Sequence, residues 1–175
     1  MRTLNYLVGM PGIGKSYYSQ KLSQHLSIKW IDLDQYIEEQ QGDIIANIIK
    51  SQGEEFFRLY EATALRRVSD RNDLDLVSTG GGTPCFCDNM DYMQGHGRVI
   101  YLNASPHYLV DSYRKYDLTR PLAKGQNIEN YIHNTYNQRH PIYRQAHHII
   151  DVSKGQEAVI DELKNVVDLV NDPNK

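Results

Sequence analysis

A largely apolar run, Leu4 to Val8, passes directly into Gly9-Met10-Pro11-Gly12-Ile13-Gly14-Lys15-Ser16, and Tyr18, Leu22 and Leu26 then recur at helical spacing. A strand, a glycine turn of G-x-x-x-x-G-K-S form and a helix in direct succession constrain the fold more than any other feature. The helix must carry the chain back over a sheet, so the next strand can only join in parallel. The same turn suits polyphosphates. Its glycines let backbone N–H groups converge on phosphate oxygens, its lysine reaches the β- and γ-phosphates, and its serine hydroxyl is placed to ligate Mg²⁺. The alternative is an ordinary glycine-rich turn, which the flanking strand and helix argue against.

The alternation continues along the chain. Strands are expected over Lys29–Leu33, Leu74–Ser78, Val99–Leu102 and His148–Val152, in addition to Leu4–Val8. Helices are expected from about Lys15 to Leu26, in pieces broken at Gly42 and Gly53, and from about Gln156 to Val170. This is the pattern of an α/β protein in three αβα layers, a parallel sheet with helices on both faces and ligands at the carboxyl ends of the strands. No linker divides the 175 residues, so one domain over 1–175 is expected. Lys115 to Asn127 has loop composition and little periodicity, which predicts a mobile lid.

Composition removes several functions from consideration. A formal charge of −3 without blocks of like charge offers nothing to nucleic acid or an anionic membrane surface. No apolar run approaches the roughly 18 residues of a membrane span, and Met1-Arg2-Thr3 leads into the first strand without a signal segment. A cytoplasmic protein acting on small molecules is expected. Cys85 and Cys87 are the only cysteines. Alternate residues of an extended segment lie about 6.6 Å apart, so the two do not easily bridge each other and are read as plain thiols in or near a loop. The histidines have no zinc spacing.

Beyond the phosphate loop, five groups of residues carry the chemistry. Asp32 and Asp34 end the second strand at period two, hence on one side of it, where one could support Mg²⁺ and the other accept a hydroxyl proton; alternatively, Asp34 caps a helix beginning at Gln35. Glu54, Arg58 and Glu61 share a helix face, either as a solvated ladder of ion pairs or with Glu61 orienting Arg58 toward a substrate carboxylate. Gly80-Gly81-Gly82 follows the strand ending at Ser78 and marks either a tight turn or a backbone that something approaches closely. Arg120-Pro121-Leu122 falls in the expected lid, and Arg139-His140-Pro141-Ile142-Tyr143 is read as the end of a helix stopped by proline. His140 shows no partner in sequence and is not read as a general base.

Together these residues resemble the shikimate kinase family. The resemblance spans nearly the whole chain: G-M-P-G-I-G-K-S at 9–16, D-L-D at 32–34, G-E-E-F-F-R at 53–58 with Glu61, the glycines at 80–82, R-P-L at 120–122 and R-H-P-I-Y at 139–143. It implies a nucleoside-monophosphate-kinase-like P-loop fold with a five-stranded parallel sheet of order 2-3-1-4-5, a substrate-binding segment over about 34–61 and a lid over about 113–126. It also implies transfer of phosphate from ATP to the 3-hydroxyl of shikimate, with Mg²⁺, on the route to chorismate and the aromatic amino acids. A monomer is expected.

Residue by residue, the resemblance implies that Gly12, Ile13, Gly14, Lys15, Ser16 and Tyr17 bind ATP together with Arg120. Lys15, Asp34 and Arg120 would be catalytic, with Asp34 serving as the base or assisting it. Ser16 and Asp32 would hold the metal, Asp32 through water. Arg58 and Arg139 would grip the shikimate carboxylate, while Asp34 and the Gly80, Gly81 and Gly82 backbone would take its hydroxyls; Pro11 and Phe57 match positions lining that pocket. The chain departs from the family at Tyr17, where a small hydroxyl residue is usual, at Thr83-Pro84, where a small residue and valine are usual, and at Ala123, where leucine is usual. Arg114 and the Ser153-Lys154 loop are the adenine-contact candidates. Two other readings stay open: a P-loop kinase for another small hydroxy acid such as gluconate, and a nucleotide-binding module without catalysis.

Overall fold

The computed structural model describes residues 3–115 and 127–168, and it places five parallel strands in one sheet of order β2-β3-β1-β4-β5. The strands are β1 (Leu4–Val8), β2 (Trp30–Asp32), β3 (Leu76–Ser78), β4 (Gly97–Asn103) and β5 (His148–Asp151). The register runs from Leu4 opposite Gly97 to Val8 opposite Tyr101 on one side of β1, and from Asn5 opposite Leu76 to Leu7 opposite Ser78 on the other. All five residues of β1 are buried, which requires cover on both faces. Helices α1 (Lys15–Leu26), α2 (Leu33–Gln41), α3 (Ile45–Gln52), α4 (Glu54–Ser69), α5 (Asn89–His96), α6 (Pro106–Lys115), α7 (Ile128–Tyr143) and α8 (Gln156–Asp168) supply it. The expected three-layer fold and strand order are therefore observed. Among the described residues, no helix is long and apolar enough to cross a membrane.

Local chemistry sets the helix ends that matter for the site. Gly42 closes α2 at φ 68, donating its N–H to the Glu38 carbonyl at 2.8 Å. Gly53, at φ 91, closes α3 through Ile49 and accepts from Phe57 to open α4, so one glycine in a conformation other residues rarely adopt ends one helix and starts the next. Asn127 caps α7 by accepting from the N–H groups of Glu129 and Asn130.

Several boundaries differ from the sequence reading. β3 starts at Leu76 because Asp75 is engaged with Lys29, its N–H donating to the Lys29 carbonyl and its carboxylate accepting from the Lys29 N–H. β4 is longer than expected, since pairing with β1 recruits Gly97 and pairing with β5 recruits Asn103. Pro141 does not stop α7. It lies in the last turn, where its missing N–H removes only one helical bond, and Arg144 donates to the His140 carbonyl to close that turn. Tyr113 to Lys115, expected in the lid, complete α6 because Tyr113 continues the buried stripe of Leu109 and Val110. The remainder of the expected lid, with Arg120, lies outside the described residues, as do 169 and 170 of the helix expected to reach Val170.

Candidate active site

The phosphate loop is built by close approach. At Gly9, φ 146, a Cβ would stand 2.6 Å from the Leu102 carbonyl oxygen on β4, so both conformation and space demand glycine. Gly12 and Gly14 have φ of 77 and 99, and Gly14 caps α1 without any side-chain hydrogen bond to the helix N-terminus. That leaves a helix start whose dipole and first-turn amides suit an anion. The Lys15 ammonium is buried and folded onto the loop, donating to the carbonyls of Gly9 and Met10 at 2.9 and 3.1 Å.

Asp32, rather than Asp34, caps α2. The strand ends one residue earlier than expected and α2 opens at Leu33, so Asp32 Oδ1 accepts from the N–H groups of Asp34 and Gln35 at 3.0 and 3.4 Å. Its other oxygen, Oδ2, accepts from the Ser16 hydroxyl at 2.5 Å. The two carboxylates therefore do not alternate along a strand. Asp34 rides on the first turn of the helix and reaches Gly80, where a Cβ would meet its Oδ1 at 2.5 Å.

A cleft of about 460 Å³ runs from the phosphate loop past Asp32, Asp34, Thr79 and Gly81 to Tyr17, Tyr108, Ser112 and Gln156. The Tyr17 hydroxyl donates to Gln156 Oε1 at 3.0 Å across this cleft. Of the adenine-contact candidates, Arg114 pairs with Glu129 at 2.6 Å and Lys154 with Glu162. Tyr108, Ser112 and Gln156 escaped the sequence reading. Only the proximity of Gln156 to the Ser153-Lys154 loop gave any signal.

A smaller cavity, about 100 Å³, brings together Pro11, Asp34, Phe57, Arg58, Glu61, Gly80–Gly82 and Arg139. It is the set expected from sequence, joined by Ile45, Ile49 and Tyr131, which sequence reasoning missed. Ile45 and Ile49 lie at i, i+4 and read as an ordinary core face; Tyr131 arrives with α7, about two turns before Arg139.

Arg58 is nearly buried and has ion-pair partners on both sides. Nη1 donates to Glu61 Oε2 at 2.9 Å, while Nη2 and Nε donate to Glu54 Oε1 at 3.0 and 3.3 Å. Burial opposes its charge, but the two carboxylates outweigh that and hold its pKa above the ordinary value. The guanidinium stacks 4.3 Å from the centre of the Phe86 ring, and a Cβ on Gly82 would collide with it at 2.6 Å. The glycine run is thus bare because Asp34, Pro11 and Arg58 each press on one of its members. Tyr143, fully buried, ties that run to α7 by donating to the Gly81 carbonyl at 2.5 Å, and burial pushes its phenol well above the usual range.

His140 does have a partner: its Nδ1 lies 3.0 Å from the Tyr101 hydroxyl, and its ring stacks on Tyr136. Burial and then Arg144 lower its pKa, and it lines neither cavity. Cys85 ends a 3₁₀ turn over Thr83–Cys85, and Cys87 is exposed just after it.

A phosphate loop at the end of β1, a cleft over it and a second cavity that carries Arg58 and Arg139 and opens at Asp34 define a P-loop kinase of the αβα class. The family model for shikimate kinase matches residues 11–168. The shikimate kinase of Parabacteroides distasonis is 36% identical over 152 residues, covering 85% of this chain and 87% of that protein. Among solved structures, the Bacteroides thetaiotaomicron shikimate kinase superposes with a TM-score of 0.86 at 28% identity, covering 95% of this chain and 99% of that one. The Acinetobacter baumannii shikimate kinase, solved in complex with shikimate, gives 0.84 at 29% identity, covering 99% and 96%. The chain belongs to the shikimate kinase family.

Proposed function

We propose that this kinase transfers the γ-phosphoryl group of ATP to the 3-hydroxyl of shikimate, giving ADP and shikimate 3-phosphate for aromatic amino acid biosynthesis. One observation carries this assignment to the site: among the described residues, the nucleotide-sized cleft and the small acceptor cavity share Asp34 and Gly81 alone. A donor phosphate in the first and an acceptor hydroxyl in the second would meet at that carboxylate.

In this reading, the amides of Gly12 to Tyr17 and the Lys15 ammonium hold the β- and γ-phosphates, Lys15 exchanging its loop carbonyls for phosphate oxygens. Segment 34–61 and α7 shape the acceptor side. Arg58 and Arg139 take the carboxylate in charge-assisted pairs, each worth about 1.5–3 kcal/mol. The backbone of Gly80–Gly82 lies against the hydroxyls. Asp34 orients the 3-hydroxyl and accepts its proton as the new O–P bond forms, and the bond from the γ-phosphorus to the β,γ-bridging oxygen breaks. Arg120 is assigned to the phosphates on its sequence alone.

The Ser16 and Asp32 pair fits Mg²⁺. Both are hard oxygen donors, and because the Ser16 hydroxyl donates its hydrogen bond to Asp32, its lone pairs stay available to a cation. Among the described residues, no three His, Cys, Asp or Glu side chains gather as a metal cage. Sparse donors suit an ion that keeps several waters. Ser16 would ligate it directly and Asp32 through water, and when bound it supplies charge neutralisation at the phosphate oxygens. We further propose a cytoplasmic monomer with no nucleic-acid partner, a setting that fits two free thiols and a formal charge of −3.

The test is coupled ADP release with shikimate, quinate and gluconate as separate acceptors. Shikimate is expected to be turned over fastest by a wide margin. Gluconate turned over as fast or faster would overturn the assignment.

A further inference from the structure

Arg58 and Glu61 lie on one helix, yet what fixes Glu61 comes from another part of the fold. Thr83, fully buried in the 3₁₀ turn that follows the glycine run, donates its hydroxyl to Glu61 Oε1 at 2.6 Å, while Glu61 Oε2 accepts from Arg58 Nη1. Each oxygen of that buried carboxylate is therefore committed to a different element. Thr83 is itself braced: its N–H donates to the Gly80 carbonyl, and its own carbonyl accepts from Asn89 Nδ2 at 2.9 Å. Arg66 holds Asn89 in turn through Nη1 at 3.0 Å.

The tether matters because Arg58 has two competing carboxylates. Glu54 is largely exposed and takes Nη2 and Nε, whereas Glu61 is buried and takes Nη1. A mobile Glu61 would leave the guanidinium to follow Glu54 toward solvent. A fixed Glu61 keeps it over Gly82, inside the acceptor cavity.

We propose that Thr83 is a positioning residue for the substrate carboxylate: its hydroxyl locks Glu61, and Glu61 aims Arg58. This rests on the reading of Arg58 as a carboxylate-binding residue in a shikimate kinase. Thr83 lines neither cavity and acts only through Glu61.

Steady-state kinetics of Thr83→Val and Thr83→Ser, varying shikimate and ATP in turn, tests it. Valine keeps the shape and removes the hydroxyl; serine keeps the hydroxyl. Thr83→Val is expected to raise KM for shikimate about fivefold or more, with kcat and KM for ATP within about twofold, since a charge-assisted hydrogen bond is lost on the acceptor side alone. Thr83→Ser is expected to stay near the parent protein. In a Glu61→Gln background, the Thr83→Val change is expected to add less than about twofold, because the two act in series. Should Thr83→Val fail to fold, Thr83→Ala against Thr83→Ser makes the same comparison without pressing a methyl group on the Glu61 carboxylate. Equal KM for shikimate in the hydroxyl and hydroxyl-free variants, or equal losses for both substrates, would overturn the proposal. A parent protein that turns over no shikimate would instead overturn the functional assignment, so the two failures are distinguishable.

Discussion

Gly80 lies against Asp34 so closely that a methyl group on its Cα would stand 2.5 Å from Asp34 Oδ1, with Thr83 Oγ1 at 3.0 Å and Glu61 Oε1 at 3.1 Å around the same point. Three side chains from three elements converge where only a hydrogen fits. Gly80 has no unusual backbone angle to protect, so its need is for space. Gly80→Ala is expected to leave an overpacked site costing about 1–3 kcal/mol of stability and to displace the carboxylate. Thermal melting and kcat should therefore fall together. A variant with unchanged kcat would mean that Asp34 can move away without consequence.

Asp34→Asn keeps the size of the side chain and removes its capacity to take a proton. Because Asp32 provides the cap of α2, the substitution is expected to leave the helix intact while lowering kcat roughly 10²-fold or more. Circular dichroism and nucleotide titration should match the parent. A near-normal kcat would remove Asp34 from the chemistry.

Arg58→Ala and Arg139→Ala are expected to weaken shikimate far more than ATP, by roughly tenfold or more each, the equivalent of a lost charge-assisted pair. The two cavities make the expectation specific, since both arginines line the smaller one and neither lines the nucleotide cleft. Separate equilibrium titrations of the two ligands check it. Equal weakening of both would show that the arginines serve the nucleotide.

Much of this arrangement was legible because its signals are local. Leu4–Val8 and Lys15–Leu26 are found where the pattern put them, separated by a glycine turn that neither element continues through. Arg58, Glu54 and Glu61 could be grouped from helical spacing alone. Asp32 and Asp34 show the opposite. Their period of two assumed a strand running through both, and the turn into α2 at Leu33 gave the capping role to Asp32 and turned Asp34 toward the glycine run. Tyr131, Tyr108 and Gln156 were not legible. Each is carried into a cavity by a helix whose placement depends on packing between distant parts of the chain. The reason for the bare glycines was equally hidden: spacing shows that something presses on them, not that it is Asp34, Pro11 and Arg58.

The two thiols should separate by pH. Cys85 is half-buried, and burial pushes its pKa to about 11 even though Arg139 and Arg58 pull it down; Cys87 is exposed. Only the thiolate reacts with an alkylating agent, so at pH 8 the reactive fraction of Cys85 is on the order of a thousandth. Its modification rate should climb about tenfold per pH unit and level off near pH 11, as long as the protein stays folded. Iodoacetamide at pH 8 followed by peptide mass spectrometry is expected to find Cys87 labelled in the native protein, with Cys85 labelled readily only after unfolding. Because Cys85 sits beside the acceptor cavity among Arg58, Arg139 and Glu61, its protonated state also keeps a further negative charge away from the arginines proposed to receive a carboxylate. Labelling of Cys85 as fast as Cys87 at pH 8 would mean that the thiol is more open, or more strongly paired with those arginines, than its burial implies.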